Sequence, residues 1–248
     1  MFVAVASLPS DPAGVRRAAD LAGIAVADAS RLLAGTPPRV LVRATQDGVR
    51  IVEALEAAGF TAFAGEVASI QGDKDRVVAR NLEWASDGFV AVDGRGQRHD
   101  CPAASIAAFL RGNRMMETSE LVKTTERKLD LGKALLTSGL AITRKVETTS
   151  ERRTSSREPF ILVQRNDGRP GIMLYEGRLN YQGLGPALQH ARSGNFAALL
   201  ARLQALAPGV PVDDRITRPG FLAGLPVLSV DPTDLAVFLV SEARARGC

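Results

Sequence analysis

Cysteine is nearly absent from this 248-residue chain, with Cys101 and Cys248 the only two. They lie far apart and neither has a CxxC partner, which excludes a disulfide framework and a cysteine zinc site. Two histidines, His99 and His190, are too few for a multi-histidine metal centre. Aromatic residues make up 5% of the chain, with one Trp and two Tyr, too few to build a stacking platform for single-stranded nucleic acid. Lysine is scarce too, at 5 of the 31 basic residues. That arginine excess, with abundant Ala and Gly, is what a GC-rich bacterial coding sequence produces. No apolar run approaches the roughly 18 residues of a membrane span. The start, MFVAVASLPSDPAG, lacks a basic region and is cut by Pro9 and Pro12, so it does not read as a signal peptide. A cytoplasmic location without a transmembrane segment is the expectation.

What remains is an ordinary globular composition, 46% apolar and 23% charged. The net charge of +4 is mild over this length and does not by itself declare a nucleic-acid binder. The pattern predicts an α+β protein in two parts. In residues 1–66, Phe2, Val3 and Val5 read as a buried strand. Asp11 and Pro12 offer the cap and first position of a helix whose apolar face is Val15, Ala18, Ala19 and Leu21, ended by Gly23. A second helix carries Val26, Ala29, Leu32 and Leu33 and stops at Gly35 and Pro37-Pro38. Arg39–Arg43 is a strand. A third helix, capped by Thr45 or Asp47, presents Val49, Val52, Leu55 and Ala58 up to Gly59, and Phe60–Phe63 is a last strand. This order predicts a three-stranded sheet with helices on one face.

From about residue 67 the pattern turns to strands. Arg76–Trp84, Phe89–Val92 and Arg98–Cys101 are candidates, the last two joined by the hairpin signal Asp93-Gly94-Arg95-Gly96. Ile106–Arg111 reads as strand or short helix. Segment 118–158 holds nine basic and six acidic residues and Ser or Thr at thirteen positions, a long polar insertion whose TTSERRTSSRE end reads as a mobile loop. Phe160–Arg165 and Ile172–Tyr175 are strands. An amphipathic helix starts at Asn195-Phe196 and ends before Pro208, and Asp231-Pro232 opens the last helix. Residues 70–248 are therefore expected to form a mostly antiparallel β domain with C-terminal helices.

In residues 1–66, the Gly23-Ile24-Ala25-Val26 step, Ala29, Leu32-Leu33, Pro37 and Leu55-Glu56-Ala57-Ala58-Gly59 fall in the places they hold in one known family. On these motifs the segment resembles the C-terminal domain of the bacterial ribosomal stalk protein, within the fold group of the Clp protease adaptor. The resemblance implies a small α/β module and a protein partner. The stalk domain meets translation GTPases through basic residues on its first helix pair; here Arg16 matches one, while Asp11, Ala19 and Ala27 stand in other basic places. Six Arg against seven acids make this segment no basic docking face, so the resemblance implies the fold with a different or lost partner. Residues 70–244 resemble bacterial proteins of no assigned activity that carry a Tyr-x-x-Leu-Gly step before an Asn-Phe-x-x-Leu helix, here Tyr181, Leu184-Gly185 and Asn195-Phe196. The element order is similar to a pleckstrin-homology-like barrel.

Few constellations carry chemistry. His99-Asp100-Cys101 is the one place where a histidine, an acid and a thiol adjoin, and on a strand His99 and Cys101 share a face, as a cysteine nucleophile requires. Cys101 and His99 are therefore the candidate catalytic pair, set against a buried thiol beside a surface histidine. His190 reads as a surface histidine. The acid pairs Asp73/Asp75 and Asp213/Asp214 could hold a divalent cation, but Arg76 and Arg215 beside them favour turn and cap roles. LGKALLTSG lacks the phosphate-loop spacing. No cofactor or metal is implied. Three functions follow: a non-catalytic protein-interaction or adaptor protein whose partner is another protein; a binder of nucleic acid or acidic lipid through Arg144, Arg152, Arg153 and Arg157 of the insertion; and a Cys/His enzyme.

Overall fold

The computed structural model describes the chain except Pro12, residues 130–142 and Pro219, and describes side chains outside 117–155. Residues 1–114 and 158–248 form one compact unit, and residues 115–157 a second. The first sheet has the order β2-β1-β3, from β1 (Phe2–Ser7), β2 (Arg39–Val42) and β3 (Thr61–Gly65), with both pairings antiparallel. Helices α1 (Gly14–Ala22), α2 (Val26–Leu32) and α3 (Gly48–Ala57) connect these strands in the expected order.

Period-two geometry splits the unbroken apolar run of β1 between two faces. Val3 and Val5 pack with Ala18, Ala19, Ala29, Ile51 and Leu55, which places α1, α2 and α3 on one side. Phe2, Ala4 and Ala6 pack on the other side against Leu235, Leu239 and Ala243 of the last helix, α5 (Pro232–Ala245). A strand covered on both faces reads as a continuous apolar run rather than an alternating one, and FVAVA is such a run.

Several local details differ from the sequence reading. Ala13 occupies the N-cap of α1 with no side-chain bond, and Asp11 instead pairs with Arg17 at 2.8 Å. The expected Pro12 position lies outside the described residues. Asp47 is the N-cap of α3 but accepts nothing there; Thr45 Oγ1 accepts from the Asp47 amide at 3.0 Å. Val26 and Val49 are exposed, and Ile51 and Leu55, four apart, supply the buried face of α3.

The second sheet is mixed and curled, with seven strands in the order β10-β7-β8-β9-β4-β5-β6. Its strands are β4 (Val77–Trp84), β5 (Gly88–Asp93), β6 (Arg98–Pro102), β7 (Ile106–Leu129), β8 (Thr143–Arg165), β9 (Ile172–Tyr175) and β10 (Val212–Asp213). β4 pairs antiparallel with β5, β5 with β6 and β8 with β9, while β4–β9 and β10–β7 are parallel. Helix α4 (Arg192–Leu206) sends Phe196, Leu199 and Leu203 into the core of this sheet, with Phe89, Phe109 and Ile161. The other face meets α5 through Ala236, Val237 and Val240, beside Phe160, Met173 and Tyr175. One helix thus lines both sheets.

The expected mobile insertion is not a loop over most of its length. β7 continues to Leu129 and β8 begins at Thr143, so TTSERRTSSRE lies within a strand. The threonines and Val146 of this segment favour extended backbone, and β8 has β9 as a neighbour to propagate from. Ile106–Arg111 is strand as well. The apolar stretch after Leu129 falls outside the described residues.

The motif residues near the C-terminal half have packing roles. Asn195 is buried, accepts from the Gln189 amide at 2.6 Å and returns a bond to the Gln189 carbonyl at 2.9 Å. Tyr181 donates to the Glu176 carbonyl at 2.8 Å. Asp213 is held by Arg215 at 2.7 Å and Arg244 at 3.3 Å, and its side chain is 6% exposed. Burial pushes its pKa up, but hydrogen bonds from Arg215 outweigh that and hold it below the usual carboxylate value. A lowered folded pKa means stability present above the unfolded value, near 3.9, and lost as pH falls below it. Asp213→Asn is expected to weaken the fold at pH 7 and to flatten the loss of stability below about pH 4, measured by urea unfolding across pH.

Candidate anion-binding cleft

The β5–β6 hairpin shapes one wall of a cleft. Asp93 gathers its turn, accepting from the amides of Arg95 at 2.8 Å and Gln97 at 2.9 Å. Gly96 supplies the positive φ of 78° that closes the turn. These bonds, that from the Arg95 amide first, hold the Asp93 carboxyl below its ordinary pKa. The opposite wall is the short 3-10 turn Asp73–Asp75, fastened by the Asp75 carboxylate accepting from the Gly72 amide at 2.9 Å. β4 runs between the walls.

The resulting cleft is open to solvent, about 500 Å³ in volume, and lined mainly by charged groups with no Phe, Tyr or Trp. Its acids are already engaged. Asp73 accepts from the Tyr175 hydroxyl at 2.8 Å and from Arg114 at 2.7 Å. Asp93 is committed to its turn and to His99, whose Nε2 lies 3.2 Å from Asp93 Oδ2. Two of its guanidiniums are anchored. Arg178 pairs with Glu158 at 2.7 Å and stacks 4.0 Å over the Tyr175 ring. Arg76 binds Asp234 at 2.8 Å and the Gln71 carbonyl.

Lys74, Arg80 and Arg95 remain. Each is exposed and lines the cleft. Among the described residues, none of the three has a carboxylate within ion-pair distance. Arg80 lies against the hairpin turn, its Nε 3.6 Å from where a Cβ on Gly94 would stand. Three cations around one concavity, with its acids engaged, produce a positive field that draws in an anion. Arginine forks suit phosphate or carboxylate oxygens.

Behind the cleft lies a buried ionic network. Asp234 on α5 receives both Arg76, the residue before β4, and Arg114 of β7, and Arg114 also reaches Asp73. Burial raises the Asp234 pKa, against the pull of Arg114 and Arg76. Burial likewise drives the Tyr175 phenol well above its ordinary value, with the Asp73 hydrogen bond adding to the shift. Asp73 is thus partnered by Arg114 and Tyr175, whereas the sequence neighbour Arg76 turns to Asp234.

The sequence candidates are dispersed. His99 reaches the cleft, while Cys101, two residues on, is buried in the core of the second sheet. Its thiol lies 3.9 Å from Ser105 Oγ, and burial raises its pKa. The two side chains have separate partners. In the native protein Cys101 is expected to resist a thiol reagent that labels the half-buried Cys248, and to react on unfolding; mass spectrometry of the labelled chain reads this directly. His190 is exposed, as is Arg16 on α1. Arg157 is exposed at the end of the insertion; the side chains of Arg144, Arg152 and Arg153, on β8, fall outside the described residues.

Lys74, Arg80, Arg95 and Arg178 were not legible as a group in the sequence. Two turn signals, Asp73/Asp75 and Asp93–Gly96, lie beside Lys74, Arg80 and Arg95, and nothing nearby in sequence points to Arg178. No group of three or more His, Cys, Asp or Glu able to hold a metal ion occurs among the described residues, and no helix among them is long and apolar enough to cross a membrane. No protein-family model, curated protein or solved structure matches this chain.

Proposed function

We propose that this chain is a non-catalytic binding protein that captures an anionic group in the cleft between the Asp73–Asp75 turn and the β5–β6 hairpin. The observation that carries this reading is the set of three cations, Lys74, Arg80 and Arg95, that line one cleft without an acidic partner among the described residues. It retains the anion binding anticipated from charge but shifts it from the insertion to residues 74–95. Binding is favoured over catalysis because His99 is engaged by Asp93 and Cys101 is buried against Ser105. The absence of Phe, Tyr and Trp from the lining favours recognition of charge over stacking on a base.

Inorganic tripolyphosphate is the probe of choice, titrated calorimetrically into the full chain over a salt series. Binding that weakens as salt rises supports the reading. Heat-silent mixing at low salt, or affinity unchanged by salt, contradicts it.

A protein-adaptor role is the second reading. It rests on the stalk-like resemblance of residues 1–66, whose elements run β-α-α-β-α-β, and on Arg16, exposed on the first helix. Loss of a captured protein on Arg16→Glu is the outcome expected of that role.

A further inference from the structure

Arg39, at the start of β2, is buried to 3% exposure yet faces no carboxylate within ion-pair distance among the described residues. Its Nη1 donates to the Phe221 carbonyl at 2.8 Å, and the guanidinium lies 5.1 Å from the centre of the Phe221 ring. These contacts leave its charge uncompensated. Burial lowers its pKa, and no neighbouring charge opposes the shift. An arginine does not escape by losing its proton, so an unpaired buried guanidinium is strongly unfavourable unless something completes it.

The unused part of the group is informative. Nε is buried with no hydrogen-bond partner, and no hydrogen bond from Nη2 is recorded among the described residues. Nε and Nη2 form the edge that grips a carboxylate or phosphate with two parallel bonds. Two glycines, Gly35 and Gly224, lie against the guanidinium. A Cβ on Gly35 would stand 2.6 Å from Nη2, and one on Gly224 would stand 2.4 Å from Nη1. Gly35 has φ +90° and is exposed. Gly35 thus packs directly on Nη2 and is itself exposed, so the Nη2 end lies one residue from solvent.

We propose that Arg39 is an oxyanion site, in which the Nε–Nη2 edge receives a single carboxylate or phosphate group beside Gly35. Arg39 does not line the cleft around Arg80, so the site is independent of the one above. The competing role is purely structural, a pin that ties the turn at Phe221 to β2.

Thermal unfolding of the full chain separates these roles, with inorganic phosphate or acetate replacing chloride at constant ionic strength. The background is a Lys74→Gln, Arg80→Gln, Arg95→Gln variant, in which the other cleft has lost its three free charges. Tm is expected to rise with phosphate, acetate or both, and the more effective ion identifies the group preferred. Arg39→Met is expected to abolish the rise. Arg39→Lys, which keeps the charge without the fork, is expected to weaken the apparent affinity about tenfold or more. Gly35→Ala keeps the arginine but places a methyl group at Nη2, and is expected to lose the response too. Alanine at φ +90° is strained, so Arg39→Lys serves where Arg39→Met does not fold. A background variant whose Tm answers to neither ion overturns the site, as does a response that survives Arg39→Met or Gly35→Ala. Failure of the first cleft shows separately, as a wild-type chain that does not bind tripolyphosphate.

Discussion

Asp234→Ala is expected to destabilise the protein by roughly 3–5 kcal/mol, measured by urea unfolding at pH 7. The carboxylate sits between two guanidiniums that have little other recourse. Arg76 has a side chain 3% exposed and Arg114 one 10% exposed. Removing Asp234 leaves Arg76 with the Gln71 carbonyl and Arg114 with Asp73 and the more distant Asp231, at 3.8 Å. Arg114 Nε is already buried without a partner, so the network has no reserve to redistribute. The size of the effect comes from stranding charges rather than from the worth of the pair. Asp234→Asn keeps the shape and one acceptor, and is expected to fall between wild type and alanine. An alanine variant within about 1 kcal/mol of wild type would mean that these guanidiniums find water instead.

Phe2→Ala is the second large effect, a loss of about 3–5 kcal/mol. Phe2 is fully buried on the β1 face that meets α5, with its ring centre 5.9 Å from that of Phe238 in an edge-to-face arrangement. A Cβ on Gly65 would stand 2.6 Å from the tip of the Phe2 ring, which shows how closely β3 is fitted around it. Truncation opens a cavity beneath the helix that lines both sheets. Because α5 contributes Leu235 and Leu239 to one sheet and Ala236, Val237 and Val240 to the other, the loss should appear in probes of both. Trp84, on β4 of the second sheet, supplies a fluorescence readout remote in sequence from Phe2. Coincident fluorescence and circular-dichroism transitions, both shifted, are expected. A Trp84 transition that stays at its wild-type midpoint would show the sheets unfolding independently.

Much of this architecture was legible locally. Gly23, Gly59 and the Asp93–Gly96 turn mark their element ends because their signals are written in one or two adjacent residues. The amphipathic face of α4 was legible from Phe196, Leu199 and Leu203 for the same reason. The misreadings share a different cause. Nothing near Asp234 says that its partners are Arg76, 158 positions earlier, and Arg114, 120 positions earlier. The Ser/Thr-rich segment around Thr148–Ser156 has the polarity of a loop, and only its neighbours in the sheet reveal it as strand. The second face of β1 was signalled by FVAVA, but the helix that covers it lies at the far end of the chain. The cleft fared worst, because Lys74, Arg80 and Arg95 each look like an ordinary surface cation until the turn, β4 and the hairpin bring them around one space.

That convergence can be tested in one titration. Calorimetry of tripolyphosphate into the wild-type chain and into the Lys74→Gln, Arg80→Gln, Arg95→Gln variant isolates it. None of the three has an ion-pair partner among the described residues, so the variant should unfold within about 0.5 kcal/mol of wild type. Its affinity should fall at least about tenfold, the loss expected from even one charge-assisted hydrogen bond. Equal affinity in the two proteins would contradict binding at this cleft.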